Sequence, residues 1–289
     1  MNFSCDNFNK DWNESMEFNG ASLNPYLESF INILALAHTI IAEDKNGVLF
    51  YNASSPDELA LTNAARHFGL TFTERDEDNN MVIHNKFTNK SAKYRLLNVI
   101  EFTSARKRMS IIVKGPDGKI IIMTKGADSH IIPRLAEGQD ELIKTTERYL
   151  QTYAEDGLRT LILAQKEVDP EYYDNWSRQY NEAQVSMVDR QAKMDEVSEK
   201  IELDFTLIGS TAIEDKLQEE VGEVIQHIKE ANVKVWVLTG DKIETAINIG
   251  YSCRLLDNEM EIFIIDESKT SKIYKQLLDF NNQCSQLDQ

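Results

Sequence analysis

The sequence predicts two units: an α+β unit built on an antiparallel sheet flanked by helices, then a piece of an α/β unit. Three observations carry this expectation. Between Tyr94 and Lys125 the segments LLNVIEF, SIIVK and KIIIMTK are rich in β-branched residues, and Gly115-Pro116-Asp117-Gly118 joins the last two as a hairpin. At Phe205 the rhythm changes to strand (FTLIGSTAI), helix (Leu217 to Glu230) and strand (Val233 to Leu238), a βαβ pattern whose strands should run parallel with a right-handed crossover. Val235, Trp236, Val237 and Leu238 carry no charge, as expected of a strand covered on both faces. Two strands cannot complete a sheet of that kind, so the second unit is expected to be partial.

Residues 1–23 form a polar lead-in, 24–204 the first unit and 205–289 the second, with the boundary near Asp204. From Asn24 to Ala42, Leu27, Phe30, Ile31, Leu34 and Leu36 recur at helical spacing, and a short strand follows at Val48 to Tyr51. Ser55-Pro56-Asp57-Glu58 is a helix start: Ser55 suits the N-cap, Pro56 the first turn, and Glu58 completes a capping box. That helix runs through Leu59, Ala60, Ala64 and Phe68 and stops at Gly69. A helix from Glu141 to Asp156 ends at Gly157, and Leu158 to Lys166 returns as a strand. Pro170 to Lys200 is helical and polar, with Trp176, Tyr180, Ala183 and Val188 as its inner face. After the strand at Val235, Thr239, Gly240 and Asp241 make a polar turn, and Ile243, Ala246, Ile247 and Gly250 mark the next helix face.

The bulk chemistry narrows the function. The chain has 289 residues, 42% hydrophobic and 27% charged, with a formal net charge of −17. A basic surface is the usual footprint of nucleic-acid or acidic-membrane binders, so neither class is expected. A nucleotide ligand remains open, because it needs only local positive charge or a metal ion. Cys5, Cys253 and Cys284 are widely spaced with no CxxC pair, which supports neither a zinc cluster nor a disulfide framework and suits a reducing, cytosolic setting. No run approaches the length of a bilayer-spanning helix and no secretory leader is visible, so the polypeptide is expected not to cross a membrane.

Several residues could carry chemistry. Asp215 and Asp241 follow the ends of the two predicted parallel strands; there they would face one crevice and suit Mg²⁺ and phosphate, or simply cap the following helices. Thr239 and the free N–H groups of a helix start suit phosphate oxygens. Between Lys93 and Lys114 six residues are basic and one, Glu101, is acidic, a local inversion in an acidic chain. Phe102, just before Arg106, Lys107 and Arg108, offers a stacking surface beside cations, as a purine and its phosphates require; a solvated basic loop with Phe102 in the core is the alternative. Lys125, before Gly126, could sit deep in a pocket, and Arg159 could reach a phosphate or pair with a surface carboxylate. His38 is expected to be a core histidine rather than a ligand.

The segments ALAHTIIAE, YNASSPDELAL, EFTSARKRMSIIV, MTKGAD, YAEDGLRTLILAQKEV, FTLIGSTAIEDKLQ and VWVLTGDKIETAINIGYSC, in this order, resemble the cytoplasmic region of type IV P-type ATPases, the phospholipid flippases. The resemblance implies a nucleotide-binding domain up to about Asp204, then part of a phosphorylation domain with a haloacid-dehalogenase-like fold. It implies ATP and Mg²⁺ as cofactors and, in a full-length pump at the cytoplasmic face of a membrane, phospholipid and an accessory subunit as partners; nucleic acid is not among them. By motif, Glu58, Phe102, Lys107, Lys125 and Arg159 match the nucleotide pocket, with Phe102 stacking on adenine, Lys125 lining the pocket and Arg159 reaching toward the phosphates. Thr239, Gly240 and Asp241 match the motif near the γ-phosphate and Mg²⁺, and Asp215 matches the aspartate in the hinge between domains. The family's phosphorylated aspartate in DKTGT, its GDGxND and DGET motifs and its transmembrane helices are not in this sequence, and Ala37-His38-Thr39 stands where flippases commonly show CHT. The chain therefore corresponds to the middle of such a pump, expected to bind ATP without sustained turnover. Two other functions compete: a free-standing dehalogenase-type phosphatase, opposed by the missing nucleophile motif, and a non-catalytic interaction fragment using the Pro170 to Lys200 helices.

Overall fold

A computed structural model describes residues 10–12, 25–214, 216–240, 243–257, 259–265 and 269–287. The chain divides into two compact units, Met1–Asp215 and Lys216–Gln289. Seven strands make the main sheet of the first: β3 (Leu70–Arg75), β4 (Asn80–Asn85), β5 (Lys90–Ile100), β6 (Arg108–Lys114), β7 (Ile120–Gly126), β8 (Arg159–Val168) and β9 (Thr206–Ile213). They lie side by side in chain order, each antiparallel to its neighbour. The expected hairpin closes β6 onto β7: Gly115 N donates to Lys119 O at 2.8 Å and Gly118 N to Gly115 O at 3.0 Å. Gly118 takes the left-handed backbone, φ 85°, that the turn needs.

Side chains alternate across this sheet with period two, so strands β5 to β9 each feed two cores. Met109, Ile111, Val113 and Met123 point to one face, where they meet α1 (Pro25–Leu36) and α2 (Pro56–His67). Ile112, Ile120 and Ile122 point to the other, beneath α4 (Asp140–Glu155), α5 (Pro170–Gln184) and α6 (Arg190–Ile201). Because both faces are covered, β6 and β7 are almost wholly buried, which explains their continuous apolar sequence. A short helix, α3 (Asp128–Ile131), follows β7.

Four expectations change. The first helix ends at Leu36, and Ile41–Lys45 becomes a strand, β1, paired with β2 (Val48–Asn52). The buried ring of His38 causes this break: Ile40 N donates to its Nδ1 at 3.2 Å, so the other nitrogen carries the proton and donates to Ala35 O at 2.8 Å. The stretch from Pro170 to Lys200 is two helices, broken at 185–189, and Val188 is exposed at the bend while Trp176, Tyr180 and Ala183 are buried as expected. In α2, Ser55 Oγ accepts from Glu58 N at 3.5 Å, but the Glu58 carboxylate turns away from the cap and the box is only half made. Finally, FTLIGSTAI is β9, antiparallel to β8 at the edge of the first sheet, and does not pair with Val233 to Leu238. The division between units accordingly follows this strand rather than preceding it at Asp204.

The second unit contains α7 (Val221–Glu230), α8 (Ile243–Ser252) and α9 (Thr270–Leu287). Residues 233–240 form no strand; Trp236 is 84% and Leu238 96% exposed, so the buried parallel strand expected there is absent among the described residues. A strand exists only where a neighbour takes its backbone hydrogen bonds, and the strand expected to do so belongs to the first sheet. No described helix is long and apolar enough to cross a membrane.

The basic run before β6 also has an unexpected fate. Arg106 and Arg108 are buried and converge on Glu202, the fully buried residue after α6. Arg106 Nη2 lies 2.5 Å from Glu202 Oε1, and Arg108 donates to Oε2 through Nε at 2.9 Å and Nη2 at 2.6 Å. Arg108 also reaches Glu199, which Arg134 holds as well, and Ser110 Oγ donates to Glu202. Burial works against the Arg108 charge, but Glu202 and Glu199 outweigh it and raise its pKa. Removing Glu202 would strand two cations in the interior. Glu202→Ala is therefore expected to lower unfolding free energy by about 3–5 kcal/mol, measured by urea denaturation; a change within ~0.5 kcal/mol would show that the network contributes no stability.

Candidate functional site

A cleft of about 520 Å³ opens where the start of α2, the 101–108 turn and the adjoining ends of β6, β7 and β8 meet. Leu61, Met109 and Leu161 provide its apolar surfaces, while Thr39, Ser54, Ser55, Asp57, Glu58, Glu101 and Lys125 are its polar and charged lining. Phe102 stands on the rim, 61% exposed, a large aromatic held in water beside a cavity. The alternative of a core Phe102 is thereby set aside.

The polar centre is the Glu58 carboxylate, which accepts three hydrogen bonds. Lys125, buried on β7, donates from Nζ to Glu58 Oε1 at 3.0 Å. Thr39 donates twice to Glu58 Oε2, from its backbone N at 3.1 Å and its Oγ1 at 2.9 Å. Burial would raise the Glu58 pKa, but Lys125 and the Thr39 hydrogen bonds overcome this and hold it below the usual carboxylate range. Burial lowers the Lys125 pKa, and Glu58 offsets only part of that effect. A further anion near Lys125 would favour its charged form.

Gly126 explains how the turn and β7 fit together. A Cβ there would lie 2.5 Å from Arg108 Cβ and 2.6 Å from the Lys107 carbonyl oxygen, so only glycine permits the approach. The same carbonyl accepts from Ala127 N at 3.0 Å, and Arg106 Nη1 donates to Glu101 O at 2.8 Å, one residue before Phe102.

Glu58, Phe102 and Lys125 thus come together in one cleft. Arg159 opens β8 and meets the cleft through Asp57, its Nη1 3.4 Å from Asp57 Oδ1. Lys107 is exposed on the turn with φ 47° and does not line the cavity. Arg106 and Arg108, read from sequence as cations beside Phe102, point instead into the protein, because Glu202 offers them buried partners. Thr239 and Gly240 are exposed in the second unit; Asp215 and Asp241 lie outside the described residues. Thr39, Leu61, Met109 and Leu161 were not singled out by sequence as pocket residues, and only the AHT motif hinted at Thr39. Among the described residues no three His, Cys, Asp or Glu side chains form a cage fit for a metal ion. The arrangement suits a flat, partly apolar ligand with hydrogen-bond donors and an anionic extension.

His38, behind Thr39, supplies a pH test. Burial foremost, with the Lys125 charge, lowers its pKa from 6.5 to about 4. As pH falls between those values, the unfolded chain takes up a proton that the folded chain refuses, so stability is lost by roughly 3 kcal/mol across the window. Glu58, whose folded pKa is lowered, adds a further loss below its unfolded value of 4.5. Urea melts from pH 7 to 4.5 should show a declining midpoint, and His38→Gln should flatten that decline while lowering stability at pH 7. An unchanged slope in the variant would assign the decline to other groups.

Comparison with known proteins agrees in its broad outline with the resemblance drawn from the motifs. A family model described as the P-type ATPase cytoplasmic domain N matches residues 26–220. The chain is 44% identical over 255 residues to phospholipid-transporting ATPase ID of Mus musculus, covering 88% of this chain and 21% of that protein. It is 43% identical over 256 residues to phospholipid-transporting ATPase DRS2 of Saccharomyces cerevisiae, covering 88% and 19%. Against probable phospholipid-transporting ATPase 11 of Arabidopsis thaliana it is 46% identical over 248 residues, covering 83% and 20%. The chain spans about a fifth of the length of these relatives.

Proposed function

Because the chain belongs to the P-type ATPases, in their type IV, phospholipid-transporting branch, we propose that its first unit binds ATP in the cleft beside Phe102. One observation carries this reading: an exposed aromatic ring and a buried lysine line the same cavity. In this reading the purine lies against Phe102 with Leu61, Met109 and Leu161 around it, Glu58 accepts from the base, and Lys125 supplies deep positive charge. Arg159 leaves Asp57 to meet phosphate, and Lys107 adds charge on the turn. ATP occupies a pocket of the usual ligand-binding size, a few hundred cubic ångströms.

The second unit is read as part of the haloacid-dehalogenase-like phosphorylation domain, with Thr239, Gly240 and Asp241 near the γ-phosphate and Asp215 in the hinge. Mg²⁺ would arrive with the nucleotide and offset phosphate charge. In a full-length pump at the cytoplasmic face of a membrane, with an accessory subunit, ATP bound here would drive phospholipid from one leaflet to the other. Without the DKTGT aspartate, this chain is expected to bind ATP and not to hydrolyse it repeatedly.

Calorimetric titration of ATP tests the reading. Base stacking on an aromatic side chain is worth about 1–3 kcal/mol, so Phe102→Ala should weaken ATP binding about tenfold. Equal affinities would remove Phe102 from the site, and no heat of binding in the unsubstituted chain would overturn the assignment of ATP to the cleft.

A further inference from the structure

We infer that Thr39 is a positioning residue for purine choice, holding the Glu58 carboxylate so that the cleft prefers a purine with an exocyclic amine over one with a carbonyl at the same position. The inference rests on the ATP reading and adds to it a residue that contributes through Glu58.

An ionised carboxylate has about four lone-pair positions and no donor. In Glu58, Oε2 receives two hydrogen bonds from Thr39, which fill it, and Oε1 receives one from Lys125. Among the described residues one acceptor position therefore remains, on Oε1, and Glu58 lines the cleft that Phe102 borders. An amine N–H can donate to that position. A carbonyl oxygen cannot, and two acceptors facing each other in a partly dehydrated cavity repel.

Thr39 decides which oxygen is left open. The terminal torsion of a glutamate is soft and roughly two-fold, so nothing within Glu58 fixes the plane of its carboxylate. Its competing use is local: a glutamate at this position of a helix start can reach back to the N-cap backbone N–H, and Ser55 already provides the other half of that box. The Thr39 hydroxyl and N–H, with Lys125, hold the carboxylate in the cleft instead. Thr39 is itself set in place by the turn that the His38 ring ties to Ala35 and Ile40. Valine at position 39 keeps the shape and the backbone N–H but loses the hydroxyl donor, which frees a lone pair on Oε2 and loosens the carboxylate.

The test compares ATP with inosine triphosphate, which has a carbonyl oxygen in place of the amine, by calorimetry on the unsubstituted chain, Thr39→Val and Thr39→Ser. The unsubstituted chain should prefer ATP, Thr39→Val should shrink the ratio of the two affinities by roughly threefold to tenfold, and Thr39→Ser, which keeps the hydroxyl, should restore it. Thr39→Ala, with the same expected ratio, replaces the valine variant if valine disturbs folding. A merely structural role would weaken both ligands together and leave the ratio unchanged, and that result would overturn the inference. ATP binding with no preference over inosine triphosphate would overturn it too while leaving the ATP reading intact. Failure of the unsubstituted chain to bind ATP would overturn the reading itself.

Discussion

Two arginines share one buried glutamate, and the geometry of the cleft depends on that arrangement. Glu202 lies 96 residues from Arg106 in the chain, yet its carboxylate fixes Arg106 and Arg108 on either side of Lys107. Burying a charge is costly unless it is paired and hydrogen-bonded, so the guanidinium groups have few alternatives once α6 is docked. Arg106 also grips the Glu101 carbonyl, and Gly126 lets the turn press against β7. With both neighbours of Lys107 anchored inward, Phe102 projects from the turn into solvent at the mouth of the cleft. The ring is exposed while Arg106 and Arg108, close to it in sequence, are buried.

This arrangement changes the electrostatic argument for the site. A basic run in a chain of net charge −17 suggests a patch for anions. Glu202 and Glu199 take two of its cations, Arg106 and Arg108, and the charge nearer the cleft is distributed differently: Lys125 deep in the cleft, Arg159 at its edge beside Asp57, and Lys107 exposed on the turn. A lysine nine-tenths buried is expensive to keep charged. Glu58 reduces that cost, and the same carboxylate is the acceptor that faces the cavity. One acid thus serves both the fold and the proposed ligand, while its expected capping role goes half unused.

Much of the first unit was legible in local chemistry. The Gly115–Gly118 hairpin, the Ser55-Pro56 helix start, the stops at Gly69 and Gly157 and the buried face of Trp176 and Tyr180 each depend on a few neighbouring residues, and each is found. The misreadings share a different origin. FTLIGSTAI has a sound strand sequence, but its partner is β8 and not the Val233 to Leu238 segment. The VWVL run has strand composition and no strand beside it among the described residues, so Trp236, Val237 and Leu238 are exposed. In the same way, the helical spacing before His38 ran past the point where a histidine ring ends the helix.

By itself, the sequence determined which residues could form strands, turns and caps, and its ordered motifs indicated the family, because backbone preference and side-chain periodicity act over a few residues. Glu58, Phe102 and Lys125 were recognisable there as separate candidates. Only the tertiary structure decided that they share a cleft, that Thr39 joins them, and that Arg106 and Arg108 face away. Those outcomes are choices of partner across tens of residues, made by competition for buried hydrogen bonds, and no local pattern records the winner of that competition.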